Sequence, residues 1–125
     1  MPDLPILLTE RLMLRILDES YAQHVSDYYL RNREFHQPWF SERGEDIFTA
    51  RQQRKNLEVE LRDFNTGRAL PFWIYLKSDP QRIIGRFALT NMIHGSFRSC
   101  IASWHLDKEI TGRGYAYEAG KAAIK

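Results

Sequence analysis

The stretch from Cys100 to Ala119 constrains this chain more than any other. Cys100, Ile101, Ala102, Ser103, Trp104, His105 and Leu106 are apolar or aromatic with few breaks, which predicts a buried strand. A short charged connector, Asp107 to Ile110, leads into Thr111, Gly112, Arg113, Gly114, Tyr115 and Ala116. Ala116, Ala119, Ala122 and Ala123 then predict a helix, because Ala is the strongest helix former. A helix that opens on glycines presents backbone N–H groups without intrahelical partners and the positive end of its dipole. Glycine also lets the backbone close around an anion with no Cβ in the way. Strand, glycine loop and helix in this order predict a phosphate cradle for a nucleotide-type cofactor. The loop lacks the Gly-Lys-Ser/Thr ending of a nucleoside-triphosphatase and the third glycine of a dinucleotide fingerprint. On spacing alone, a plain strand-to-helix turn explains Gly112-x-Gly114 equally well.

The remaining segments predict what that unit packs against. Leu7 to Leu17 alternates around Leu12, Leu14 and Ile16, with Arg11 and Arg15 opposite, and is expected to be one strand. Ser20 and Gln23 are a capping-box pair for a helix carrying Tyr21, Ala22, Val25, Tyr28 and Tyr29 at helical spacing. Core packing is the ordinary role of these tyrosines, and a hydroxyl lining a substrate groove is the other. Phe35 to Phe40 is an aromatic loop in which Trp39 is either a plug under the loop or a wall of an acceptor site. A second helix is expected to start near Glu42 to Asp46. It has Ile47, Ala50, Leu57, Leu61 and Phe64 on one side, Arg51, Arg54 and Lys55 on the solvated side, and a C-terminal cap at Gly67. Leu70 to Lys77 is apolar on both faces and reads as a central strand. Ser78-Asp79-Pro80-Gln81 is expected to turn into a strand from Arg82 to Ile93, with Gly85 a weak point or bulge. Short turns between consecutive strands predict antiparallel pairing.

The length of 125 residues fits one domain, and 43% hydrophobic content supplies a packed core. A net charge of +2 carries no strong nucleic-acid signal. The single cysteine, Cys100, cannot form an internal disulfide, which agrees with a reducing cytoplasm. No apolar run approaches the ~18 residues of a membrane span, and His24, His36, His94 and His105 show no metal-ligand spacing.

Cys100 to Leu106, then Gly112-Arg113-Gly114-Tyr115-Ala116 and Glu118-Ala119, resembles the acetyl-coenzyme A motif of the GCN5-related N-acetyltransferases. Thr9-Glu10-Arg11-Leu12-x-Leu14-Arg15 resembles the first strand of the branch that acetylates ribosomal-protein N-termini. Asp27-Tyr28-Tyr29, Asn32-Arg33-x-Phe35, Pro38-Trp39, Asn91 and Gly95-Ser96-Phe97-x-x-Cys100 are similar to its RimJ/RimL-type members. The resemblance covers nearly the whole chain in one order. It departs from the family pattern at Glu109, where Arg or Gln is common, and at Ser103, where Gly is common.

The resemblance implies an α+β fold with a mixed, mainly antiparallel sheet flanked by helices, in one acetyltransferase domain over residues 1–125. It implies transfer of an acetyl group from acetyl-coenzyme A to a protein N-terminal α-amine, with a ribosomal protein as partner. A cytoplasmic location, no metal, no direct nucleic-acid contact and no membrane contact go with it. The implied cofactor-binding residues are Leu106, Thr111, Gly112, Arg113, Gly114, Tyr115 and Ala116, with a bulge near Leu106 aiming a backbone N–H at the thioester oxygen. Trp39 and Asn91 would border the acceptor. His105 is a candidate proton acceptor, although a structural histidine is the commoner reading. Family members continue beyond a point equivalent to Lys125 with further strands, one helix of that part carrying a proton-donating tyrosine. The expectation is therefore a C-terminally incomplete domain whose open strand edge favours a homodimer. A small-molecule amine or lysine acceptor, and a non-catalytic coenzyme A-binding module, are the competing readings.

Overall fold

The computed structural model describes residues 6–32, 49–93, 99–107 and 114–124. Their centre is a five-stranded antiparallel sheet in the order β1-β2-β3-β4-β5. The strands are β1 (Ile6–Leu8), β2 (Leu12–Arg15), β3 (Leu70–Leu76), β4 (Asp79–Ile93) and β5 (Ser99–Leu106). Among the described residues three α-helices cover it: α1 (Ala22–Arg31), α2 (Ala50–Asn65) and α3 (Tyr115–Ile124). This is the mainly antiparallel α+β architecture the sequence predicts, with β3 in the middle and buried on both faces.

Strand alternation sorts the side chains between the faces. Leu12, Leu14, Ile16, Phe72, Ile74, Ile84, Phe87 and Leu89 form one apolar cluster with Tyr115, Ala119 and Ala123 of α3. Leu17, Trp73, Tyr75 and Ile83 form the other with Ala22, Val25, Tyr28 and Tyr29 of α1 and Leu57 of α2. Burying a leucine or isoleucine of this kind contributes about 1.5–3 kcal/mol. Arg51, Arg54 and Lys55 are exposed, as their spacing predicts.

Five local expectations change. Leu7 to Leu17 is not one strand but two, paired antiparallel as Ile6 with Arg15 and Leu8 with Met13. The Thr9 amide donates to the Leu12 carbonyl at 3.0 Å, and the Leu12 amide returns a bond to the Thr9 hydroxyl at 3.0 Å, so the chain reverses between them. The Ser20–Gln23 capping box is absent. The Asp18 carboxylate accepts from the Ser20 amide instead and caps a 3-10 turn, Glu19–Tyr21, that precedes α1. Gln23 is committed to Asp27, one helical turn on. The turn after β3 is Lys77 and Ser78, tighter than expected, with Asp79 and Pro80 already in β4. Proline is admissible there because it lies near the start of its strand. The fourth change, at Leu106, is described with the site. The fifth is that Cys100 to Leu106, expected to be a buried strand, lies at the end of the sheet order with Ala102, Ser103 and Trp104 exposed, because among the described residues only β4 pairs with it.

The second helix opens on Thr49, whose hydroxyl accepts from the Gln52 amide at 3.2 Å. The expected start near Glu42 to Asp46 lies outside the described residues, as does Ile47. Its end is a Schellman cap, with Gly67 at φ 77, Arg68 N–H on the Asp63 carbonyl and Gly67 N–H on the Phe64 carbonyl.

Gly85 is where the sheet adjusts. Ile74 pairs with Gly85 and Tyr75 with Ile83, so Ile84 is the extra residue of a bulge. A Cβ on Gly85 would stand 2.6 Å from Leu106 Cδ2 and 2.7 Å from the His105 carbonyl oxygen. Only glycine lets β5 lie this close at its C-terminal end.

Candidate functional site

Of the residues singled out from the sequence, those the structure describes fall at the C-terminal end of β5, at the start of α3 and along β4. Gly114 has φ +78, the left-handed region that glycine enters at little cost. Among the described residues a Cβ there would meet only Arg11 Nη2, at 3.7 Å, and the positive φ by itself favours glycine. The first intrahelical bond of α3 runs from the Glu118 amide to the Gly114 carbonyl at 3.0 Å. The amides of Tyr115, Ala116 and Tyr117 precede it and have no carbonyl within the helix to reach. The Tyr115 side chain packs into the apolar cluster, so its amide is the group it can offer a ligand. Thr111, Gly112, Arg113 and Trp39 lie outside the described residues.

Leu106 pairs with Gly85 and packs against the aliphatic cluster. The bulge expected near it is not in its ladder to β4, which runs unbroken from Gly85–Leu106 to Thr90–Ile101. The missing side chain of Gly85 lets Leu106 stay in register, so no extra residue is needed there. The irregularity comes at the other end, where Thr90 pairs with Ile101 and Ile93 with Ser99. Asn91 and Met92 therefore oppose the single residue Cys100. Asn91 sits in this bulge, roughly 20 Å along the strand from the Leu106 level. The two are not neighbours.

His105 is half-buried on the face opposite Leu106. Its Nδ1 is 2.7 Å from the Tyr28 hydroxyl, and the two rings stack at 5.5 Å. Tyr29 and Trp73 complete the aromatic surround at 5.6 and 6.5 Å. Burial pushes the Tyr28 phenol far above its ordinary pKa, so it keeps its proton. The pair shares one hydrogen: either the phenol donates to a bare Nδ1, or a protonated Nδ1 donates to the phenol oxygen. In the second tautomer Nε2 carries the lone pair, and His105 can accept a proton there.

Two polar features lay hidden in the sequence. Asp107, in what reads as a charged connector, is fully buried and collects Arg31 at 2.8 Å, Arg82 at 3.1 Å and Asn32 at 3.4 Å. Its amide donates to the Ile84 carbonyl at 2.7 Å. The end of β5 is thereby fastened to α1 and β4. Glu118 reaches back to the β1–β2 turn. It accepts from the Thr9 hydroxyl, from the Arg11 amide at 2.9 Å and from Arg11 Nε at 2.7 Å. Desolvation opposes the charge on Glu118, and these donors outweigh it, holding the carboxyl below its usual range. Both ends of this contact lie in quoted motifs, yet nothing in residues more than a hundred positions apart shows that they touch.

Among the described residues no three His, Cys, Asp or Glu side chains gather to hold a metal. No helix there is long and apolar enough to cross a membrane. The described groups beside the glycine loop, a left-handed glycine and first-turn amides, fit a diphosphate-bearing cosubstrate.

Comparison with known proteins agrees with this geometry. The chain is 30% identical over 119 residues to the [ribosomal protein uS5]-alanine N-acetyltransferase of Escherichia coli, covering 95% of this chain and 61% of that protein. It thus spans about three fifths of the length of the curated relatives it matches. The fold superposes on the ribosomal-protein-S5-alanine acetyltransferase of Vibrio fischeri with a TM-score of 0.86 at 24% identity, covering 96% of this chain and 65% of that one. Mycobacterium smegmatis RimJ in complex with CoA-disulfide gives 0.80 at 23% identity, covering 98% and 60%. The acetyltransferase (GNAT) domain model matches residues 11–125, and the chain belongs to that family.

Proposed function

We propose that this protein transfers an acetyl group from acetyl-coenzyme A to the N-terminal α-amine of a ribosomal protein. The observation that carries the reading is the left-handed Gly114 at the head of α3, the next described element after β5, in a chain of this family. The backbone amides from Thr111 to Ala116 hold the diphosphate, where the helix dipole and first-turn N–H groups favour negative charge. The cosubstrate supplies a thioester as acetyl donor. The backbone at Leu106 lies beside it and orients it, with an N–H directed at the oxygen that gains charge as the amine attacks. Trp39 and Asn91 border the acceptor, Asn91 from the backbone bulge of β4.

Acceptor chemistry favours an N-terminus. An α-amine has a pKa of about 8 and is about one tenth neutral at pH 7, whereas a lysine at about 10.4 is less than a thousandth neutral. A modest base is enough for the first, and His105, oriented by Tyr28, is the residue of β5 that can accept a proton. The same reading puts the enzyme in the cytoplasm with its ribosomal partner and allows a second copy to pair along the outer edge of β5. Incubation with acetyl-coenzyme A and a peptide carrying the alanine N-terminus of protein uS5, followed by mass spectrometry, tests it. Acetyl on the α-amine is the expected result. Acetylation confined to lysines or polyamines would move the acceptor assignment, and coenzyme A binding without turnover would reduce the chain to a binding module.

A further inference from the structure

The amino end of α3 is gripped by the β1–β2 turn. Glu118 Oε2 accepts from the Thr9 hydroxyl and the Arg11 amide, and Oε1 accepts from Arg11 Nε. The Arg11 guanidinium lies 4.4 Å above the Tyr115 ring, and its Nη2 stands beside Gly114. Thr9 is itself fixed, because its oxygen accepts the Leu12 amide. The Arg11 carbonyl accepts the Lys77 amide at 2.9 Å, which ties the turn to the β3–β4 hairpin. Residues 114, 115 and 118 of the helix are thus held by one turn of the sheet.

The rest of α3 grips weakly. It is ten residues long, too short to be stable alone in water. It meets the sheet through the small residues Ala119, Gly120 and Ala123, and the Gly120 backbone comes close to the Phe87 ring. Small residues permit close approach but do little to fix rotation about the helix axis. The polar grip at the first turn fixes it, and with it the direction of the amides that open the helix.

We propose that Thr9 and Arg11 are positioning residues for the cosubstrate: acting through Glu118 and Tyr115, they aim the first-turn amides of α3 at its diphosphate. The inference rests on the cradle reading given above. Arg11 is not assigned a contact with phosphate. It acts through the carboxylate and the ring it holds.

The test compares two probes on the full chain, coenzyme A by calorimetry and pantetheine, which lacks the phosphates, by NMR titration. Arg11→Ala and Thr9→Val should weaken coenzyme A binding on the order of tenfold or more, the scale of a misplaced binding group, and leave pantetheine binding within about twofold. Glu118→Gln keeps the Arg11 charge but removes the strong acceptor. Positioning predicts that it loses coenzyme A as Arg11→Ala does, whereas a direct cation–phosphate contact predicts wild-type affinity and would overturn the proposal. Equal loss of both probes would mean the grip serves only the fold and would also overturn it. Should Arg11→Ala fail to fold, Arg11→Lys, Thr9→Val and Glu118→Gln carry the same readout. If the wild-type chain binds pantetheine as well as coenzyme A, the cradle itself is wrong. If it prefers coenzyme A and the variants keep that preference, the positioning role alone is wrong.

Discussion

On one face of the sheet, Leu12, Leu14, Phe72, Ile74, Ile84 and Phe87 meet a short alanine-rich helix. On the other, the row Arg15, Trp73, Arg86 and His105 crosses four strands in register beneath the aromatic residues of α1. The first face excludes water by volume, and its polar contacts with α3 are confined to the clamp at the helix end. The second buries rings and charges together. Arg86 lies 3.1 Å from Glu60 and over the Trp73 ring, Arg15 reaches the Tyr21 hydroxyl at 2.7 Å, and Tyr28 meets His105. An apolar face tolerates small rearrangements and loses stability in proportion to lost volume. A polar face fails when one partner is removed, because the other stays desolvated. The two faces should therefore respond to different perturbations.

The largest expected effect lies on the aliphatic face. Leu14 is fully buried between Ile74 on β3 and the rest of its cluster. Leu14→Ala should cost about 2–5 kcal/mol, read as a shift in urea midpoint with little change in slope. The counterpart on the polar side is Asp107. Asp107→Asn leaves Arg31 and Arg82 facing a neutral amide. Both guanidinium side chains keep about a third of their surface exposed, so a loss near the low end of the range for breaking a buried pair is expected, about 3 kcal/mol. A cost below about 1 kcal/mol would mean water already screens the cluster and would blur the contrast between the faces.

Tyr28→Phe is a smaller change with a functional readout. It removes one hydroxyl and keeps the ring stack, so stability should fall by about 1 kcal/mol. If Tyr28 selects the His105 tautomer that accepts at Nε2, acetylation should slow and its alkaline-favoured pH profile should shift, with coenzyme A affinity unchanged. An unaltered pH profile would leave His105 as a packing residue of the aromatic layer.

Strand periodicity made the sheet legible, and the same periodicity concealed the site's supports. β3 announces itself because Phe72, Ile74 and Leu76 alternate with Trp73 and Tyr75, so both faces read as covered. Gly67 and Gly85 were legible as a cap and a bulge because glycine marks positions where other residues do not fit. The β1–β2 hairpin was not, since Leu7 to Leu17 keeps its alternation straight through a turn whose closure depends on the Thr9 side chain. Asp107 was missed because a charged residue between a strand and a loop is ordinarily solvated. Its burial depends on Arg31 and Arg82, brought to it only by the fold. Glu118 and Thr9-Glu10-Arg11 stood out separately as motif residues, and long-range side-chain pairing has no periodic trace in a single sequence. Gly114 was legible as a special backbone position because residue type does record the left-handed conformation it adopts.

The last contrast is in sign rather than size. Glu118, at the start of α3, has a folded pKa below its ordinary value: desolvation opposes its charge, but Thr9 and Arg11 prevail. Its contribution to stability is complete above the ordinary carboxylate pKa of about 4.3 and is lost as pH falls through the depressed folded value. Glu60, on the polar face, is shifted the other way. Burial dominates and raises it, although Arg86 pulls it down. Its contribution is complete below about 4.3 and is lost as pH rises through the raised folded value, because the unfolded chain then ionises more readily. Urea midpoints measured between about pH 3 and pH 8 for wild type, Glu118→Gln and Glu60→Gln separate the two. The wild-type advantage over Glu118→Gln should grow with pH, and the advantage over Glu60→Gln should shrink with pH. Slopes of the same sign would mean that Arg86 holds Glu60 as firmly as Arg11 holds Glu118, and that the two faces treat charge alike.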